Sequence, residues 1–153
     1  STPTNGRKKM NFPSKEIVEK VRKQFIKGAR VELVKMNDPY SALRAGDRGT
    51  VNFVDDTGTV FVNWDSGSSL GAIYGEDEIR LLSDSEIIKE QCKQVAQTGR
   101  TNMFDTEAAF NIAMEMGLIN LAHFITFFPK AYAKLILTGE ISDSDLKNGR
   151  KRK

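Results

Sequence analysis

A single cysteine in 153 residues excludes an internal disulfide framework and a thiolate zinc site, and it fits a reducing compartment. A single histidine excludes any multi-histidine metal site. Four prolines and twelve glycines leave no room for collagen-like or low-complexity character. No apolar run reaches the roughly 18–20 residues needed to cross a bilayer, so no membrane association is expected. Residues 1–9 are polar and basic with no apolar core behind them, so no signal peptide is expected. These absences lead to a soluble protein of the cytoplasm. What is present is 39% hydrophobic and 28% charged, the composition of a globular chain forming one or two small domains.

The net charge of +3 conceals a strong asymmetry. Residues 1–27 carry eight basic and two acidic side chains, whereas residues 28–82 carry five basic and nine acidic. Residues 83–148 carry six basic and nine acidic, and residues 149–153 four basic. The body is therefore acidic and the two ends are basic. A phosphate backbone needs Lys and Arg facing it, and the body offers too few. If nucleic acid is bound, the contacts fall to Lys15, Lys20, Arg22 and Lys23 on the first helix and to Arg150, Lys151, Arg152 and Lys153 in the tail. The plainer alternative is that such ends only aid solubility.

Hydrophobic spacing divides the chain into a disordered start over 1–13, a helix and small barrel over 14–82, a helical domain over 83–140 and a basic polar tail over 141–153, frayed from Ile141 onward. Ser14 is a good N-cap, and Ile17, Val18, Val21 and Phe25 recur at helical spacing until Gly28, which predicts a helix over 15–26. From Ala29 the period changes to two. Strands are predicted from about residue 29, then over 49–54, 59–64, 68–73 and 78–82, with Asp56-Thr57-Gly58 and Asp65-Ser66-Gly67 as tight turns. Five short strands in about 55 residues shed their edges best by curling, which suggests an SH3-like barrel. Ser83 and Glu86 then have capping-box spacing, Asp105 or Thr106 caps a further helix, and Pro129 suits the first turn of a last one ending before Gly139. The expected class is α+β: an N-terminal helix, a five-stranded SH3-like β-barrel and a compact C-terminal helical unit.

Catalytic chemistry finds little support, and neither an enzyme nor a cofactor is expected. His123 sits in the apolar run Leu121-Ala122-His123-Phe124-Ile125, with nothing nearby to complete a triad. Cys92 falls on a helix stripe and reads as a small core residue. Carboxylates cluster at Asp55-Asp56, Asp65 and Glu76-Asp77-Glu78, all in predicted turns, where Asp is favoured because it bonds its own backbone. Paired carboxylates can also hold Mg²⁺ or Ca²⁺, but turn chemistry is the simpler reading and no metal site is expected. Gly67-Ser68-Ser69-Leu70-Gly71 lacks the lysine and the strand-to-helix context of a phosphate loop.

Binding offers better material. Tyr40, Trp64 and Tyr74 fall at strand ends or loops, where small barrels grip peptides or stack bases. Trp64 serves equally well as a core plug, whereas Tyr40 and Tyr74 read as surface residues. Asp65, Glu76 and Asp77 near them select a cationic partner. Most of the 118–128 run, with Phe124, Phe127 and Phe128, reads as core, but a small helical unit cannot enclose every one of these rings, so the remainder packs on the barrel or forms a homodimer seam.

Two stretches carry a family resemblance. The first includes Asn11-Phe12-Pro13-Ser14-Lys15-Glu16, Val54-Asp55-Asp56, Val62-Asn63-Trp64-Asp65 and Gly67-Ser68-Ser69-Leu70, and resembles a family of uncharacterised bacteriophage and prophage domains expected to form small SH3-like barrels. The second includes Thr98-Gly99-Arg100-Thr101-Asn102-Met103-Phe104-Asp105 and Ile136-Leu137-Thr138-Gly139-Glu140, and is similar to a short helical domain of unknown function that often follows the first. The resemblance covers residues 11–140. It implies a phage accessory protein in the cytoplasm of a bacterial host, with no chemistry to transfer. Joined to the acidic body, it suggests a non-enzymatic protein that binds a host or phage protein, such as a nucleic-acid-processing complex, and that inhibits a host defence nuclease of the CRISPR type. The alternatives are a nucleic-acid-binding module using the basic ends, and a binder of a small nucleotide-like ligand.

Overall fold

The computed structural model describes residues 12–151, which divide into two compact units at the Leu82–Ser83 bond. The first unit opens with helix α1 (Lys15–Gln24), whose cap Ser14 accepts a hydrogen bond from the Ile17 amide. Val18 and Val21 line its buried face, and Phe25 is buried just beyond it. Gly28 and Ala29 then start the sheet by exchanging backbone bonds with Val51.

Five strands follow: β1 (Arg30–Lys35), β2 (Arg48–Val54), β3 (Val60–Trp64), β4 (Gly71–Ala72) and β5 (Glu78–Leu81). They form one antiparallel sheet in the order β4-β3-β2-β1-β5. The alternation of strand side chains sends Val31, Leu33, Val51, Val60, Val62 and Trp64 to one side, where they pack with Val21 and Phe25 of α1. Gly49 belongs to this packing as much as any side chain: a Cβ there would stand 2.6 Å from Val62 Cγ1 and 2.8 Å from the Asn63 carbonyl. On the outer side Phe53 and Phe61, register partners across β2 and β3, stack with centroids 4.7 Å apart. Glu32 stands directly opposite Arg48 on one side and Arg80 on the other, and binds both guanidinium groups at 3.1 and 2.7 Å.

The strand predicted over 68–73 shrinks to Gly71–Ala72. The cause is Trp64. Its amide donates to the Ser68 carbonyl and its indole N–H donates to the Leu70 carbonyl, so residues 68–70 wrap the ring instead of extending the ladder.

The second unit is helical: α2 (Asp84–Gln97), α3 (Thr106–Glu115), α4 (Ile119–Phe127), α5 (Pro129–Thr138) and α6 (Asp143–Lys151). Ser83 and Glu86 make the full capping box at the start of α2, and Asp105 caps α3 through the Ala108 amide. Gly139 ends α5 in the left-handed conformation at φ 79°. Val95, Ala109, Ala113, Leu121, Phe124 and Tyr132 form the heart of the core, and the Tyr132 hydroxyl donates to the Met103 carbonyl. Of the three phenylalanines in the α4 region, Phe124 and Phe128 are buried, while Phe127 is 62% exposed.

The chain from Ile141 onward is not the frayed tail that its polarity suggests. Ile141 is buried, and α6 is tied back by the Ser85 amide donating to Asp143 and by Lys134 pairing with Asp145 at 3.1 Å. Leu146 packs on the core. Among the described residues no helix is long and apolar enough to cross a membrane. The start over 1–13 falls outside the described residues as far as position 11.

Candidate partner-binding surface

The two edges of the sheet, β4 and β5, are joined by residues 73–77. Ala72 of β4 and Glu78 and Ile79 of β5 line the same cleft, of about 230 Å³, so the sheet curls to bring its edges round to a common opening. Val21 and Phe25 of α1 supply an apolar wall, with Val60 beneath. Gln24, Tyr74, Asp77 and Glu78 supply the polar lining, and among the described residues neither lysine nor arginine contributes to it. The cleft is thus greasy at its floor and negative at its rim.

Asp77 builds this rim. One carboxylate oxygen accepts the Asn37 amide at 2.8 Å, and the other accepts the Ile73 amide at 2.9 Å. The 37–46 segment, which carries Tyr40, is thereby fastened to the segment that carries Tyr74. Tyr40 is 94% exposed and Tyr74 is 47% exposed. Glu76 and Glu78 are exposed beside them and make no ion pair among the described residues.

Two residues expected at this surface are elsewhere. Trp64 is 3% exposed and plugs the core of the first unit, because an indole with its N–H satisfied by the Leu70 carbonyl gains most from complete burial. Asp65 lies at the β3–β4 turn and holds Arg30 in a two-pronged pair at 2.9 and 2.7 Å, so its charge is already matched. Conversely, Ile73, Glu78 and Ile79 line the cleft although none was expected among the partner-binding residues. Only the excess of carboxylates over 76–78 hinted at Glu78.

The basic residues divide likewise. Lys15, Lys20 and Lys23 are exposed along α1. Arg22 is part of the fold: it donates to the Val54 carbonyl and to the carboxylates of Asp56 and Glu19, and these last two hydrogen bonds, that to Asp56 first, hold its proton more tightly than usual. It is therefore not a free phosphate contact. Arg152 and Lys153 lie outside the described residues, as do the side chains of Arg150 and Lys151.

The remaining carboxylate cluster is turn chemistry. Asp55 accepts bonds from the Thr57 amide and hydroxyl and from the Thr59 amide. Burial pushes its carboxyl up, but these bonds, with Arg22 nearby, outweigh burial and hold it below the usual range. Among the described residues no three His, Cys, Asp or Glu side chains gather closely enough to hold a metal ion. Cys92 is buried, and burial pushes its thiol up to about 11, far from the thiolate a nucleophile requires.

Fold and cleft together define a two-unit α+β protein with a concave, carboxylate-rimmed surface on its first unit. In family terms the chain carries two domains of unknown function in order: residues 14–82 match the model of Domain of unknown function (DUF4314), and residues 85–140 match that of Domain of unknown function (DUF5049). The gap between the two matches contains the bond at which the structure divides. No curated protein matches the chain.

Proposed function

We propose that the protein is a non-enzymatic binding module that takes a basic, extended segment of a protein partner into the cleft between β4, β5 and α1. The carrying observation is the lining itself: Val21, Phe25 and Ile79 offer apolar contact, Tyr74 an amphipathic ring, and Asp77 and Glu78 a negative rim unopposed by any cation among the described lining residues. Each edge strand is paired on one side only, β4 with β3 and β5 with β1, so an added strand has backbone groups to meet. The reading takes the curled sheet as a small SH3-like barrel, a shape whose loop aromatics suit extended ligands. A protein with a positive nucleic-acid channel, such as a host defence nuclease of the CRISPR type, presents segments of this kind. The resemblance of the two segments to bacteriophage and prophage domains, if it holds, implies an accessory role against such a partner.

The test is titration of fluorescent ten-residue peptides, one rich in Lys and Arg with interspersed apolar residues and one with the cations replaced by Glu. The basic peptide should bind, with affinity falling as salt rises. Tyr74→Ala and Glu78→Lys should each weaken it by about tenfold, corresponding to ~1.4 kcal/mol. Equal binding of both peptides, or indifference to both substitutions, overturns the reading.

A further inference from the structure

The second unit contains a larger cleft of about 580 Å³, at the meeting of the start of α2, the outer face of α4 and the side of α6. Its size lies within the range of small-molecule sites. We propose that it binds a small organic cation carrying a flat apolar ring, independently of the surface on the first unit.

The floor is apolar: Ile88, Phe124, Phe128 and Leu146. Phe124 and Phe128 lie nearly parallel, with centroids 6.1 Å apart and planes 21° from each other. The exposed His123 ring extends the aromatic wall, 6.2 Å from Phe128 and 4.6 Å from Phe127. Phe124 and Phe128 are themselves 1% and 6% exposed, so an inserted ring meets them only as apolar floor, and the choice of a cation falls to the charged lining.

Among the described residues the charged groups of the lining are Asp84, Asp143 and Lys147, an excess of one carboxylate. Asp143 spends one oxygen on the Ser85 amide, and Asp84 makes no ion pair or side-chain hydrogen bond among the described residues. Two helices begin at this cleft, which would ordinarily recommend it to an anion. Here that chemistry is partly used. The Ser83 hydroxyl takes the Glu86 amide, Asp143 takes the Ser85 amide, and Asp145 takes the Ser142 amide. What remains in the described lining is two carboxylates against one ammonium.

Because the chain has one histidine, its ring C–H signals in ¹H–¹³C NMR report on this cleft alone. Three probes share one ring and differ in charge: tryptamine, indole and indole-3-acetate, each titrated to roughly millimolar concentration. The proposal expects a saturable shift of the His123 signals with tryptamine, at least about fivefold weaker binding of indole, and weaker binding still of indole-3-acetate. Asp84→Asn should cut tryptamine affinity about fivefold while leaving indole unchanged. Asp84 is exposed and outside the core, so this variant is expected to fold, and a native backbone amide spectrum checks it. Absence of any shift with tryptamine overturns the site. Equal binding of all three probes, or an Asp84→Asn protein that still prefers tryptamine as before, overturns the assignment to a cation. None of these results bears on the basic-peptide cleft of the first unit.

Discussion

Asp77 and Asn37 are joined across forty positions of sequence by a 2.8 Å hydrogen bond, and the same carboxylate holds Ile73 with its other oxygen. The tyrosine-bearing segments of the first unit therefore have a common anchor. Asp77→Ala removes the acceptor of two backbone amides and should cost about 1–3 kcal/mol of stability in urea unfolding followed by tryptophan fluorescence. It should also weaken basic-peptide binding more than Glu76→Ala does, since Glu76 anchors nothing. Equal effects of the two substitutions would show that only charge at the rim matters.

Trp64→Phe keeps a buried aromatic ring but leaves the Leu70 carbonyl without its donor. The expected loss is about 1–2 kcal/mol, read by the thermal melt of the circular dichroism signal. Residues 68–70 should become more accessible to hydrogen exchange, because the bond that wraps them round the ring is gone.

Gly49→Ala forces a Cβ to within 2.6–2.9 Å of Val62, Asn63 and Trp64, two of these contacts being backbone. Backbone cannot rotate aside, so β2 and β3 must separate. A loss of about 2–3 kcal/mol is expected in the same urea assay, at the upper end of what overpacking costs.

Burial raises the Glu32 carboxyl, but hydrogen bonds from Arg80 and Arg48 outweigh it, so the group stays below its ordinary 4.5. A carboxyl lowered on folding contributes stability above its unfolded value and loses it as the pH falls through the folded one. The first unit should therefore weaken on acidification below about 4.5, and the acid limb should flatten in Glu32→Gln. That variant should lose on the order of 1 kcal/mol at neutral pH. A pH profile identical to that of the native protein would show that the two arginines confer nothing.

Cys92 offers a reporter for the other unit. Buried and with its thiol at about 11, it should resist thiol reagents in the folded protein and react at a rate set by opening of the helical core. Trp64 lies in the first unit and Cys92 in the second, so fluorescence and labelling in one denaturant series follow the two units separately. Fast labelling under native conditions would contradict the packing of α2 described above.

Local signals in the sequence were reliable wherever a few neighbouring residues decide the outcome. The Ser83–Glu86 box, the turns closed by Gly58 at φ 82° and Gly67 at φ 102°, and the stop at Gly139 all depend on near neighbours. The miss at α6 has an opposite cause. Only Leu146 in its first turns is apolar, and its tethers, Ser85 and Lys134, are distant in sequence. The candidate surface was half legible. Tyr74 and the carboxylates of 76–78 announced themselves by type and position, but the floor is made of Val21, Val60 and Ile79, which look like any core residue until the sheet curls. Asp65 and Asp77 are alike on the page of letters. Arg30, thirty-five positions earlier, claims one, and two amides claim the other.

The placement of Glu32 between Arg48 and Arg80 also bears on how the sheet finds its alignment. A one-residue slip of β2 would set Glu32 against Asp47 or against the bare backbone of Gly49, and a slip of β5 would set it against Ile79 or Leu81. None of these neighbours can neutralise it, and the first repels it. A carboxylate on β1, the strand between β2 and β5, thus favours one register in both adjoining ladders.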